Sequence, residues 1–126
     1  MISASVQRDT RIFDIEQYGD TIVLAPTVNL RESDYEGIEE GARDIFELLD
    51  SSPFRNIVLD FSRTDFYGST ALGFFLKLWK RARKQDGQLV FCNLSDYERE
   101  ILQIARLDQL WSICSSRSEA LQAVQE

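Results

Sequence analysis

The chain has no histidine, and only two cysteines, two prolines and one methionine among its 126 residues. Each scarcity removes a kind of chemistry. Without histidine there is no Ser-His-Asp relay and no His-based zinc site. Cys92 and Cys114 are far from CxxC spacing and fall in apolar, strand-like segments, so they read as buried, reduced thiols. No metal and no cofactor are expected. No apolar run approaches the roughly 20 residues that span a bilayer. Met1 to Thr10 is polar and lacks the apolar centre of a signal peptide, which points to the cytoplasm. Positive charge is short as well: 14 Lys and Arg stand against 21 Asp and Glu, and a net charge of −7 argues against nucleic acid. A Gly-rich phosphate loop is missing too. What remains, 44% hydrophobic and 28% charged residues, is the composition of one globular domain over residues 1–126.

The pattern along the chain alternates strands with helices. Residues 1–10 read as a flexible or edge arm. Arg11 to Tyr18 and Thr21 to Ala25 form a hairpin around the turn Tyr18-Gly19-Asp20. Pro26 to Arg31 is a loop, since Pro26 lacks a backbone donor. Ser33 with Glu36 reads as a capping box for a helix carrying Tyr35, Ile38, Ala42, Ile45 and Leu49 at helical spacing, which Ser51-Ser52-Pro53 stops. Asn56 to Phe61 is a buried strand. Ser69 to Lys84 is a helix with Leu72, Phe75, Leu76 and Trp79 inward. Its basic face of Lys77, Lys80, Arg81, Arg83 and Lys84 could pair with the acidic first helix or meet an acidic partner. Gln88 to Asn93 is a strand, and Ser95 with Glu98 caps a third helix burying Ile101, Leu102 and Ala105. Trp111 to Cys114 is a short strand, and a last helix carries Ala120, Leu121 and Val124. The order β-β-α-β-α-β-α-β-α predicts an α/β fold: a mixed, mostly parallel sheet with an N-terminal hairpin and about four helices.

The most informative stretch is Asp65-Phe66-Tyr67-Gly68-Ser69-Thr70-Ala71-Leu72-Gly73, which joins a buried strand to a helix. Ser69 sits where the helix begins. A hydroxyl there serves as an N-cap, or as an accessible acceptor for a phosphate that the helix dipole would favour. Thr70 is the backup acceptor. Gly68 relieves a tight turn. Phe66, Tyr67, Leu72 and Phe75 hold the turn, while Phe74, one step round the helix, reads either as an exposed partner contact or as packed against another helix. Asp60 and Asp65 could be imagined as paired carboxylates for hydrolysis, but one ends a strand and the other lies in a turn, so structural roles are favoured. With no histidine to activate Ser69, the chain is not expected to be an enzyme.

This stretch resembles the pattern of the STAS domain family, found in bacterial anti-sigma factor antagonists and in the cytoplasmic tails of anion transporters. There an apolar strand ending in Asp-Phe precedes Asp-Ser-Ser/Thr-Gly-Leu-Gly. Arg83 to Ser95 and Ile101 to Leu110 are similar to further family segments, so the resemblance covers roughly residues 11 to 125. It implies a partner-binding module whose first motif hydroxyl, Ser69 here, is phosphorylated by a serine kinase/anti-sigma factor of the ATPase-kinase type. The unmodified form would bind that partner and the phosphorylated form would release it. The implied surface comprises Asn29, Gly68, Ser69, Thr70, Leu72, Gly73 and Phe74; homodimer formation stays open. Two positions depart from the pattern: Gly68 and Asn29 stand where the family has acids, which takes negative charge away from Ser69. Ala71 also replaces a glycine. These departures leave a second expectation open, a non-switching STAS scaffold or transport-complex subunit in stress sensing or lipid transport.

Overall fold

The computed structural model describes residues 7–9 and 12–125. Its elements are strands β1 (Gln7–Asp9), β2 (Phe13–Tyr18), β3 (Thr21–Pro26), β4 (Asn56–Asp60), β5 (Leu89–Cys92) and β6 (Ser112–Cys114), and helices α1 (Tyr35–Ser51), α2 (Ser69–Lys84), α3 (Asp96–Ile104) and α4 (Arg117–Gln125). The six strands lie side by side in chain order. β1, β2 and β3 pair antiparallel, and β3 to β6 pair parallel. Each parallel step is a crossover to the neighbouring strand through one helix, as such connections require.

Side-chain alternation divides the sheet into two faces. Ile22 and Leu24 of β3, Ile57 and Leu59 of β4, and Leu89 and Phe91 of β5 point to a large core closed by α1, α2 and α3. Val23, Val58, Val90 and Cys92 point the other way, to a smaller cluster closed by Ala120 and Val124 of α4. Burial on both faces accounts for the unbroken apolar runs of β3 and β4. It also pushes the Cys92 thiol up to about 12 and keeps it protonated.

Several expectations change in detail. Gln7–Asp9, within the expected arm, pairs as an edge strand against β2, register Gln7 with Glu16; the rest of residues 1–10 lies outside the described residues. Pro26 closes β3, but at a position opposite Phe13 of β2, beyond the last residue of β3 that pairs with β4. The Ser33–Glu36 capping box does not form. Glu32–Asp34 makes a turn of 3-10 helix, and Asp34 becomes the residue before α1, without a side-chain cap. Tyr35 is consequently exposed, and so is Ala105 at the end of α3. The Ser95–Glu98 box forms in full. Gly87 could carry no side chain: a Cβ there would lie 1.7 Å from the Arg55 carbonyl oxygen.

Candidate functional site

Ser69 is the first residue of α2 and is exposed. The residue that precedes the helix is Gly68, in extended conformation, so the cap position has no side chain to offer. The helix end is capped from elsewhere. Glu32, in the turn after β3, accepts the Thr70 amide at 2.8 Å on Oε2 and the Thr70 hydroxyl at 2.7 Å on Oε1. These donations, with a smaller one from the Ser69 hydroxyl, hold the Glu32 carboxyl below the usual glutamate range. Gly68 makes room for it, because a Cβ at 68 would lie 2.6 Å from Glu32 Oε2.

The loop before α2 is stitched to the loop after β3, residue by residue. Asn29 Nδ2 donates to Asp65 Oδ1 at 2.9 Å, and the Asp65 amide donates back to Asn29 Oδ1 at 3.0 Å. Leu30 forms a parallel bridge with Tyr67, and the Gly68 amide donates to the Leu30 carbonyl at 2.9 Å. The Arg31 guanidinium lies over the Phe66 ring at 5.9 Å. Four consecutive residues, Asn29 to Glu32, thus each engage the segment that presents Ser69.

The other side of that segment is fixed by α3. Ser95 Oγ donates to the Asp65 carbonyl at 2.9 Å, Thr64 Oγ1 donates to Glu98 Oε2 at 2.7 Å, and the Tyr67 hydroxyl donates to the Glu98 carbonyl at 2.6 Å. Phe66 stacks on Tyr97 at 5.3 Å. Glu98 is fully buried, and burial raises its carboxyl above the ordinary range despite the Ser95 and Thr64 donors. Beneath the turn, Tyr67 meets Phe61 and Phe75 edge to face at 5.4 and 5.3 Å, over a floor in which Phe61 stacks on Phe91. The Ser69 turn is pinned from both sides and below, so its hydroxyl is presented by a rigid frame.

The residues singled out in the sequence divide into those the fold gathers and those it does not. Gly68, Ser69 and Thr70 lie at the start of α2 against Glu32, and Asn29 lies in the adjoining loop on Asp65. Leu72 is half-buried and packs on the main core, and Gly73 is exposed on α2. Phe74 is not a surface contact: it is 5% exposed and packs on Phe13 and Phe46, because α1 and the start of β2 cover that face of α2. Negative charge is not taken away from Ser69 either, since Glu32 supplies a carboxylate. Asp60 and Asp65 do not form a pair. Asp60 is turned to the α4 face, where it accepts Arg117 Nε at 2.8 Å and Asn93 Nδ2 at 2.9 Å. On the basic helix, Arg81 pairs with Asp50 of α1 and Arg83 lies over the Trp79 ring. Sequence reasoning missed Glu32, Arg31 and Tyr97. Glu98 was visible as a capping-box acid, but its reach to Thr64 was not.

Comparison with known proteins places the fold. A protein of Bordetella bronchiseptica named "Putative anti-sigma factor antagonist BtrV" is 33% identical over 69 residues, which is 55% of this chain and 60% of that protein's length. The structure of an anti-sigma-factor antagonist (STAS) domain protein from Planctomyces limnophilus superposes with a TM-score of 0.79 at 25% identity, covering 90% of this chain and 98% of that one. The anti-sigma factor antagonist SpoIIAA in its unphosphorylated form gives a TM-score of 0.75 at 21% identity, over 90% of this chain and 96% of that one, and its phosphorylated form gives 0.70 at 20% identity, over 89% and 98%. Among the described residues no helix is long and apolar enough to cross a membrane. The STAS domain model matches residues 11–120, and the chain belongs to the STAS domain family.

Proposed function

We propose that this chain is an anti-sigma factor antagonist-like regulator that binds a serine kinase/anti-sigma factor of the ATPase-kinase type and is released by phosphorylation of Ser69. The observation that carries this reading is the exposed Ser69 hydroxyl at the first residue of α2, framed by Asn29, Gly68 and Thr70. Leu72 and Gly73 continue the surface along the helix. The names of the relatives support the reading, and SpoIIAA has been solved in both phosphorylated and unphosphorylated forms.

In this mechanism the partner supplies the chemistry. Ser69 Oγ would attack the γ-phosphorus of ATP held by the partner. The new O–P bond forms as the bond to the β-phosphate oxygen breaks, ADP leaves, and a base of the partner takes the hydroxyl proton. The chain itself offers an exposed hydroxyl on a fixed backbone, which serves the positioning that phosphoryl transfer demands. The product carries −1.5 to −2 charges into a surface fitted to a hydroxyl, which disfavours the complex.

The test is capture of partners from native extract with wild-type, Ser69→Ala and Ser69→Asp baits. A kinase-fold ATPase caught by the wild type and by Ser69→Ala, and lost with Ser69→Asp, supports the reading. Scaffold or transporter subunits caught equally by all three overturn it in favour of a non-switching STAS subunit.

A further inference from the structure

We infer that the Glu32 carboxylate is a built-in anion that occupies the amino end of α2 while Ser69 is unmodified, and that a phosphate on Ser69 replaces it, so that the state of Ser69 is transmitted to the Arg31–Asp34 turn. This deepens the reading of Ser69 as a phosphate acceptor and rests on it.

Two features of the Glu32 carboxylate's position carry the inference. The first is occupancy. Glu32 takes both donors of Thr70, the amide and the hydroxyl, at 2.8 and 2.7 Å. Those donors adjoin Ser69, so a phosphate built on Ser69 Oγ would seek the same amide. The second is space. Glu32 fills the place where a side chain at 68 would begin, 2.6 Å from the position of a Cβ there. Gly68 and Glu32 are matched: the glycine leaves a gap, and the carboxylate from the neighbouring loop fills it.

A dianion on Ser69 and a carboxylate on Thr70 repel each other and contend for one set of N–H groups. The phosphate is tethered to α2, whereas Glu32 is held only by its side chain, so the carboxylate is the group that leaves. Its departure removes the side-chain tie between the turn and α2. The ties that remain lie to either side of Glu32: Arg31 over Phe66 before it, and after it only the bonds within the turn, the Asp34 amide to the Arg31 carbonyl at 2.9 Å and the Tyr35 amide to the Glu32 carbonyl, leading into an α1 that begins without a side-chain cap. Arg31 and Glu32 contact the segment that presents Ser69, and they and Asp34 are exposed, so the change would run along the surface from Ser69.

The experiment installs phosphoserine at position 69 by codon suppression and follows two signals by NMR, the Glu32 side-chain carboxyl carbon through a pH titration and amide exchange at Asp34 and Thr70. In the unmodified protein Glu32 titrates below the ordinary glutamate range. With phosphoserine its titration is expected to move up to or above that range, with loss of protection at Asp34. A Glu32 that still titrates low, with Asp34 unchanged, overturns the inference. A second comparison guards the result: Glu32→Gln should loosen the turn without any phosphate, and phosphoserine on that background should add nothing. If phosphoserine loosens the turn equally in both backgrounds, Glu32 is not the transmitter. The phosphate is installed directly, so these outcomes do not depend on whether any kinase acts on Ser69; the capture experiment tests that separately.

Discussion

Arg117 at the start of α4 donates from Nε to Asp60 Oδ2 at 2.8 Å and from a terminal nitrogen to Glu16 Oε2 at 3.1 Å, joining the last helix to β4 and β2 across the face opposite Ser69. Asp60 is nearly buried, at 5% side-chain exposure. Burial alone would raise its carboxyl, but Asn93, Arg117 and the Ser62 amide together bring it below the ordinary aspartate range. Arg117→Met should therefore destabilise the fold by about 2 kcal/mol, less than a fully buried pair would lose because the arginine is partly exposed. A depressed folded pKa contributes stability that is present above the unfolded value of about 4 and lost as pH falls through the folded one. Urea unfolding at neutral and acid pH checks both parts: the wild type should lose stability in acid, and the gap between variant and wild type should narrow there.

Glu98 has the opposite sign. Burial raises its carboxyl, so its contribution is greatest below the unfolded glutamate value of about 4.3 and falls as pH rises through the folded value. Glu98→Gln keeps an acceptor for the Ser95 amide, turns its NH2 toward the Thr64 hydroxyl, which then accepts, and removes the charge. Relative to wild type, the variant should gain stability from acid to neutral pH. Unfolding midpoints that move in parallel over that range would contradict this.

Asn29 and Asp65 exchange two hydrogen bonds. Asn29→Asp replaces a donor with a second carboxylate against Asp65, at a cost of roughly 1 kcal/mol. Adding Asp65→Asn restores a donor and should recover most of the loss. A double-mutant cycle by chemical denaturation reads the coupling, and a zero coupling term would mean that the pair does not hold the two loops together.

Phe74→Leu should cost about 1 kcal/mol or more in stability, since the ring is buried between Phe13 and Phe46. Because Phe74 contributes no exposed surface to the candidate site, the folded variant should capture the same partners as wild type in equal yield. A selective loss of capture at full folding would return Phe74 to the interface.

The regular elements were legible because their signals are local. Apolar runs at β3, β4 and β5 and helical spacing in α1 and α2 reflect burial of adjacent residues on known faces. β1 was not legible: Gln7-Arg8-Asp9 has no apolar alternation, and its strand conformation comes from the ladder with β2. Ser33 and Glu36 carried a correct capping pattern, yet the 3-10 turn at Glu32–Asp34 moved the helix start past it. The candidate site was half legible. Ser69, Thr70, Gly68 and Asn29 are marked by the motif, whereas Glu32 reaches Thr70 across 38 residues of chain and no spacing rule connects them. Phe74 was misplaced for the same reason, since its neighbours Phe13 and Phe46 lie on other elements.

The strictly sequential strand order bears on how the chain is made. Each strand docks on the one synthesised just before it, so the sheet can grow outward in the direction of translation without waiting for distant segments. α4 is the exception: Arg117 reaches Glu16 across 101 residues, and the Asn56 side chain contacts the Val124 carbonyl across 68. The frame around Ser69 belongs entirely to elements laid down earlier, up to α3. A nascent chain would therefore assemble its Ser69 corner before the fold is fastened on the opposite face.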